Sequence, residues 1–101
     1  MLFVLHCLDK SNAHELRTTN RPAHLEFARA QTSIKMAGPL LSNSGLAADT
    51  GDMVGSMFVI EAADLNAARA FNAADPYTKA GLWASVAINP FRWLLPEGAA
   101  H

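Results

Sequence analysis

The stretch Thr19-Asn20-Arg21-Pro22-Ala23-His24-Leu25 carries the signal for the first helix of the chain. Asparagine is favoured just before a helix, and proline is tolerated in a first helical turn because the N–H that it lacks would have no partner there. We therefore predict a helix that is capped by Asn20 and spans residues 22–33. Its inward stripe is formed by Leu25, Ala28 and Thr32.

Four apolar segments accompany this helix and a second one. Because each is short and apolar and lies next to turn-forming residues, we predict strands at residues 2–8, 34–41, 53–61 and 82–88. The second helix is capped by Asp64 and ends before Pro76, since a proline pushes the preceding residue out of the helical region. Pro90 is expected to end the last strand. Short connections are expected at residues 77–81 and, as a helical turn or a loop, at residues 13–19.

The resulting order, β-α-β-β-α-β, is that of the ferredoxin-like α+β fold, in which both helices cover one face of a four-stranded antiparallel sheet. The strands are apolar on both of their faces, so the face without helices needs a second layer. Another copy of the chain is the simplest source of that layer. We therefore expect a homodimer in which two sheets pack face to face, and leave open whether the dimers assemble further.

The length of 101 residues predicts one domain over residues 1–101, because such a chain hides only about 65% of the surface that its unfolded form exposes. Eight basic and nine acidic residues give a formal charge of −1 without long runs of one sign, so we expect neither nucleic acid nor a membrane as partner. We identify no signal peptide and no membrane-spanning run. Cys7 is the only cysteine, which excludes an internal disulfide and favours core packing and a cytoplasmic location.

His24 and Asp75 are the leading candidates for catalysis. The helix dipole near a helix N-terminus favours the neutral imidazole, which can accept a proton. A carboxylate that holds one ring nitrogen leaves the other to act as a base or an acid, and we hypothesise that Asp75 is that carboxylate. The alternative is that His24 only completes a helix terminus and that Asp75 only caps a turn before Pro76.

Arg17 and Arg21 are expected to precede the first helix, where a guanidinium could neutralise an anionic substrate. Ser42 or Ser44 could place a hydroxyl at the mouth of a pocket between the first helix, the sheet and the loop of residues 42–52. Surface ion pairs and plain turn roles are the alternatives for these residues. The other histidines match no zinc-binding spacing, so we assign no metal.

Three motifs, in this order, resemble those of the YCII-like (YciI) family. They are Arg21-Pro22-Ala23-His24-Leu25, residues 34–41, and Ala74-Asp75-Pro76-Tyr77 with Ala80-Gly81-Leu82. The likeness extends from Met1 to Arg92. It implies a dimeric α+β barrel built from ferredoxin-like units, and a His-Asp pair at the positions of His24 and Asp75. One member is a dehydrochlorinase that eliminates HCl from a chlorinated hydroxyquinol at a site that also uses arginine and serine.

The residues and the resemblance lead to the hypothesis that the chain is a cofactor-independent lyase or isomerase. In the most specific form of this hypothesis, its reaction is like that of a dehydrochlorinase. Its substrate would be a small hydroxylated molecule, cyclic or aromatic. His24 would move a proton, Asp75 would orient and stabilise the imidazolium, and Arg17 or Arg21 would hold a developing oxyanion. Two alternatives stay open: a non-catalytic ligand-binding or scaffold dimer, and a monooxygenase that uses O2 without a cofactor.

Overall fold

The structure, a computed structural model, describes residues 1–43 and 52–98. Four strands and three helices follow one another as β1 (Leu2–Asp9), α1 (His14–Arg29), β2 (Ile34–Leu41), β3 (Met53–Glu61), α2 (Leu65–Ala74), α3 (Pro76–Lys79) and β4 (Trp83–Phe91). All strand pairs are antiparallel, and the strand order in the sheet is β2-β3-β1-β4. The predicted ferredoxin-like α+β arrangement is therefore confirmed.

The core lies between the two central strands and α2. Phe3 pairs with Ile60 and Leu5 with Phe58 across β1 and β3, and all four side chains are fully buried. Ala68 of α2 packs against them, and its small side chain lets the helix approach the sheet closely. Because side chains alternate along a strand, the same register sends every second residue of β1 and β3 to the opposite face.

The first helix begins earlier than the sequence predicted. It spans His14–Arg29, so residues 13–19 are helical and Pro22 lies inside the helix at an exposed position. Asn20 is not the cap; its side-chain amide donates to the carbonyl of Leu16 within the helix. His24 consequently lies in the middle of α1, where the dipole of the helix terminus has little effect, and the dipole argument for its neutral form does not apply.

The remaining boundaries depend on two prolines. Asp64 accepts a hydrogen bond from the N–H of Ala67, and α2 ends before Pro76, as predicted. The predicted connection at residues 77–81 is instead mostly helical, because Pro76 is the first residue of α3. Pro90 does not end the last strand but lies within β4, an edge strand of the sheet, where a residue without an N–H is tolerated.

The face of the sheet opposite α2 carries apolar side chains from three strands. Val4 of β1 lies beside Val59 of β3, and Leu2 lies beside Phe91 of β4. Leu8 and Phe91 are 38% and 41% exposed. Within the described ranges, no helix combines the length and apolarity that crossing a membrane requires.

Candidate active site

A cavity of about 480 Å³ lies between α1 and the sheet. Its lining combines cationic, polar and apolar side chains from α1, β2, β3 and the start of α3. The lining residues are Arg17, Arg21, His24, Leu25, Ala28, Arg29, Ile34, Lys35, Met36, Ala37, Gly38, Pro39, Met53, Ser56, Phe58 and Tyr77. The predicted pocket lay between the first helix, the sheet and the loop of residues 42–52. The cavity lies between the first two, and residues 44–51 of that loop lie outside the described residues.

His24 and Asp75, which are 51 residues apart in the chain, meet at this cavity. The distance from Nδ1 of His24 to Oδ1 of Asp75 is 2.8 Å. Since an ionised carboxylate can only accept, Nδ1 carries the proton in this pair and Nε2 is the nitrogen left for a ligand. The Asp75 side chain is 1% exposed and that of His24 is 12% exposed, so the imidazole alone offers an accessible edge.

Asp75 is fixed by the local sequence as well as by the histidine. It follows the last residue of α2 as the C-cap and is the N-cap of α3, and its Oδ1 also accepts from the N–H of Tyr77 at 2.9 Å. Its Oδ2 is buried and has no hydrogen-bond partner among the described residues. Capping, offered as the alternative to a dyad, therefore occurs together with the histidine contact rather than instead of it.

Tyr77 supplies a second contact to the histidine. Its ring stacks on that of His24 with 4.0 Å between centroids and 14° between planes. Burial raises the pKa of the Tyr77 phenol, although the positive charges of Arg17 and Arg21 oppose the shift. The phenol therefore keeps its proton at neutral pH and can donate it in a hydrogen bond.

Arg17 lies within α1, not before it, and is 3% exposed at the cavity wall. Its Nε and Nη2 donate to the two carboxylate oxygens of Asp9 at 2.8 and 2.9 Å, and Nη2 also donates to Oγ of Ser56 at 3.0 Å. Burial alone would lower the pKa of Arg17, but the hydrogen bonds and charge of Asp9 raise it above its ordinary value. The guanidinium also lies 4.8 Å from the ring centroid of Tyr77.

The other predicted binding residues have different positions. Arg21 lies within α1, not before it, and lines the cavity as an exposed residue. Ser42 follows β2, where its N–H donates to the carbonyl of Asp52, and it is not among the described residues that line the cavity. Ser44 lies outside the described residues.

Sequence reasoning missed Ser56, Asp9 and Tyr77 as members of the site. The sequence pattern contains a signal for Ser56. It is a polar residue on the same face of β3 as Phe58 and Ile60, and all three side chains are buried. The spacing of Asp9 from Arg17 gave no such signal, since the pair forms across the turn between β1 and α1. For Tyr77 the sequence predicts a short connection, which gives no reason to expect a stacking partner for His24 there.

Fold and site together define a small α+β domain with a histidine-carboxylate pair at the wall of a cationic cavity. The sequence model of the YCII-related domain matches residues 1–92, and the chain belongs to this family. It is 33% identical over 95 residues to protein YciI of Escherichia coli, covering 91% of this chain and 97% of that protein. An uncharacterized protein of Haemophilus influenzae is 30% identical over the same length, with the same coverage.

A solved structure of an enzyme is also similar to this chain. It is 5-chloro-2-hydroxyhydroquinone dehydrochlorinase (TftG) from Burkholderia phenoliruptrix, in complex with 2,5-dihydroxybenzoquinone. The two share 31% sequence identity and superpose with a TM-score of 0.79, over 91% of this chain and 94% of TftG. A solved enzyme therefore shares nearly the whole of this fold.

Proposed function

We propose that the chain is a cofactor-independent enzyme of the lyase or isomerase type, in which His24 and Asp75 act as an acid/base pair on a small hydroxylated molecule. The observation that carries the proposal is the 2.8 Å contact between Nδ1 of His24 and Oδ1 of Asp75 at the wall of the cavity. A carboxylate in this position fixes the tautomer of the imidazole and stabilises the imidazolium that forms when Nε2 takes a proton.

Arg17 is the group best placed to stabilise negative charge on the substrate. Deprotonation of a hydroxylated ring or an enol leaves negative charge on oxygen. A fixed cation stabilises such a charge more strongly in a cavity from which water is partly excluded than in bulk water. The double hydrogen bond to Asp9 holds the guanidinium rigidly, and Ser56 limits its motion further. Asp9 also neutralises part of its charge, so Arg17 acts as a positioned donor more than as an isolated cation.

The likeness to a dehydrochlorinase supports a more specific form of the reaction. Removing hydrogen chloride from a chlorinated hydroxylated ring requires a base for the proton and a path for the chloride. In this chain His24 would take a hydroxyl proton on Nε2, and the imidazolium would return it to the ring carbon that carries chlorine, which gives the keto tautomer. His24 would then take the proton of a second hydroxyl, whose electron pair would move through the ring and expel chloride, so that HCl is lost and a hydroxyquinone is formed. In an isomerase, the reaction would end when the imidazolium returns the proton to another atom of the substrate.

The test is a screen of small hydroxylated rings, including 5-chloro-2-hydroxyhydroquinone, with purified protein in D2O and no added cofactor. Proton NMR would follow deuterium incorporation and product formation, and a chloride electrode would follow dehalogenation. We expect at least one compound to react faster than in buffer. The rate enhancement should fall by about 100-fold or more in His24→Asn, since general acid–base catalysis contributes about 10²–10⁴-fold.

Asp75→Asn and Arg69→Gln complete the test. The first keeps a side chain of the same size but removes the charge that favours the imidazolium, so the rate should fall as well. Arg69 is an exposed residue of α2 that does not line the cavity, and its variant should react like the unaltered protein. Equal rates in the unaltered protein and in His24→Asn for every reacting compound would contradict the proposal.

We further propose that two copies of the chain pair through the sheet face that carries Val4, Leu8, Val59 and Phe91. The partly exposed apolar side chains of this face support the pairing, because monomeric proteins rarely leave a sheet face of this kind uncovered. The family resemblance points in the same direction. Neither copy needs to contribute residues to the other's cavity, which lies on the opposite side of the sheet, the side of α1.

A further inference from the structure

Half of the basic residues of the chain line a single cavity. Four of the eight lysines and arginines are found there: Arg17, Arg21, Arg29 and Lys35. Of the described residues that line the cavity, none is acidic. The whole chain has a formal charge of −1, so this concentration of positive charge is local and does not reflect the composition.

Only one of these four cations is neutralised in place. Asp9 pairs with Arg17, whereas Arg21, Arg29 and Lys35 form no salt bridge with any carboxylate in the part of the chain that the structure describes. These three residues, here called the rim cations, are exposed at the cavity. Positive charges gathered at a concave opening raise the local concentration of anionic ligands.

The rim cations are placed at two ends of the cavity. Arg21 and Arg29 are eight residues apart on α1, which corresponds to about 12 Å along the helix axis. Arg21 lies at the end with the dyad, since it precedes His24 by three residues, or about one helical turn, on α1. Arg29 is in the last turn of α1, and Lys35 follows one residue after the start of β2, so both belong to the other end.

The wall between the two ends is largely apolar. Leu25, Ala28, Ala37 and Phe58 contribute to it, and they suit the flat, apolar body of a ring better than a fully hydrated anion. The cavity thus offers a proton-transfer group and a held donor at one end, an apolar middle, and two unpaired cations at the other end. A ligand complementary to these three regions of the cavity has a hydroxylated ring and a separate fixed negative charge.

We propose that the substrate of this site carries a carboxylate, which Arg29 and Lys35 bind while the hydroxylated ring is held against His24 and Arg17. The inference rests on the proposed function for the role of the ring hydroxyl, and adds to it a charged substituent and the residues that select it. Guanidinium groups bind carboxylates through two parallel hydrogen bonds, and lysine adds a mobile point charge. A neutral hydroxylated ring would leave both cations without a partner.

The test compares two probes that differ only in the carboxylate, 2,5-dihydroxybenzoate and 1,4-dihydroxybenzene, by isothermal titration calorimetry at neutral pH. We expect the carboxylate probe to bind about tenfold more tightly, and this preference to shrink as salt is added because exposed charges are screened. The double variant Arg29→Gln/Lys35→Gln should lose the preference, while its affinity for the uncharged probe should change by less than about twofold.

A matched control removes the same charge elsewhere. Arg69 of α2 and Lys79 of α3 are exposed and do not line the cavity, so Arg69→Gln/Lys79→Gln should keep the preference. Equal affinity of the unaltered protein for the two probes would overturn the proposal. So would an equal loss of preference in both double variants, or the absence of saturable binding of either probe at millimolar concentration.

The outcome is separate from that of the catalytic test. His24→Asn removes the proposed base but leaves Arg29 and Lys35 in place, so it should bind the carboxylate probe with the preference intact. If catalysis depends on His24 but the two probes bind equally, the carboxylate proposal fails alone. If no compound reacts but the preference is present and depends on Arg29 and Lys35, the proposed function fails alone.

Discussion

Tyr77 lies flat against His24, with 4.0 Å between the ring centroids and 14° between the ring planes. The hydrogen bond from Nδ1 to Asp75 fixes the direction of the imidazole, and the stack fixes the plane in which it lies. Both contacts come from one short segment, because Asp75 and Tyr77 flank Pro76 at the start of α3. The segment Asp75-Pro76-Tyr77 therefore orients the histidine as a unit.

The stacking of Tyr77 on His24 leads to a prediction that can be tested without a substrate. A ring at this distance shields the protons of the imidazole, so their NMR signals should lie upfield of those of a free histidine. Tyr77→Leu removes the ring, and the two carbon-bound imidazole protons of His24 should move downfield. Tyr77→Phe keeps the ring, and the same protons should stay within a few hundredths of a ppm of their original positions.

The comparison of Phe with Leu separates the ring from the hydroxyl. Circular dichroism should first show that both variants are folded, because Tyr77 is a fully buried side chain and its truncation lowers stability. If the His24 signals shift equally in Tyr77→Phe and Tyr77→Leu, then the hydroxyl and not the stacked ring determines the environment of the imidazole.

The ion pair between Arg17 and Asp9 makes a prediction about stability. The two side chains are 4% and 7% exposed, so removing one leaves the other charge buried without a partner. Arg17→Met should lower the free energy of unfolding by about 3–5 kcal/mol. Adding Asp9→Asn to this variant removes the unpaired charge and should restore part of the loss. Urea denaturation at one fixed protein concentration measures the unaltered protein, the two single variants Arg17→Met and Asp9→Asn, and the double variant.

The double-mutant cycle decides whether the two residues act together. Coupled residues in contact show interaction energies of about 0.5–3 kcal/mol, whereas independent sites give additive losses. If the double variant loses the sum of the two single losses, then Arg17 is held by its contacts with Tyr77 and Trp83 and not by the carboxylate of Asp9.

The parts of the fold that local chemistry determines could be predicted from the sequence. The cap at Asp64, the helix end before Pro76 and the strand limits of β2 and β3 follow from caps, prolines and alternating apolar residues. The contact between His24 and Asp75 also matches the prediction, since Asp75 was placed at the helix exit and the family motif suggested its partner. The catalytic roles of the two residues stay a prediction.

The parts that long-range contacts determine could not be predicted in this way. The start of α1 was missed because Pro22 and Asn20 carry a strong local signal for a helix start. A buried ion pair between Arg17 and the end of β1, together with a proline on the exposed side, outweighs that signal. The same applies to Ser56, whose partner Arg17 is 39 residues away in the chain.

The proposed pairing of two sheets makes a third prediction. Val4 lies in the middle of the sheet face opposite α2. Val4→Lys would place a charge inside the proposed interface, where its desolvation is costly. Size-exclusion chromatography with light scattering should show a dimer for the unaltered protein at micromolar concentration and a monomer for the variant. Ala70→Lys, at an exposed position of α2, is the control and should stay dimeric. A monomeric mass for the unaltered protein would contradict the pairing.

The buried thiol of Cys7 predicts how stability changes at high pH. Burial, followed by the negative charges of Asp75 and Asp9, raises the pKa of the Cys7 thiol from 9.0 to about 12. The native protein therefore holds this proton between these two values while the unfolded chain releases it. Its contribution to stability is complete below pH 9 and is lost as the pH rises toward 12.

The free energy of unfolding should accordingly fall between about pH 9 and pH 10.5, with a slope of at most about 1.4 kcal/mol per pH unit from this one group. Tyr77 adds to the same trend, since burial raises its pKa as well. Cys7→Ala removes only the thiol contribution, so the free energy of unfolding of this variant should decline less steeply over the same pH range. At pH 8 the variant should be less stable than the unaltered protein, because the substitution leaves a small cavity in the core. The difference between the two slopes isolates Cys7 from every other titrating group. Parallel slopes would mean that the Cys7 thiol ionises as easily in the native protein as in the unfolded chain. In that case the thiol should also react with a thiol reagent at pH 8 without denaturant. A fully buried Cys7 should not react under these conditions.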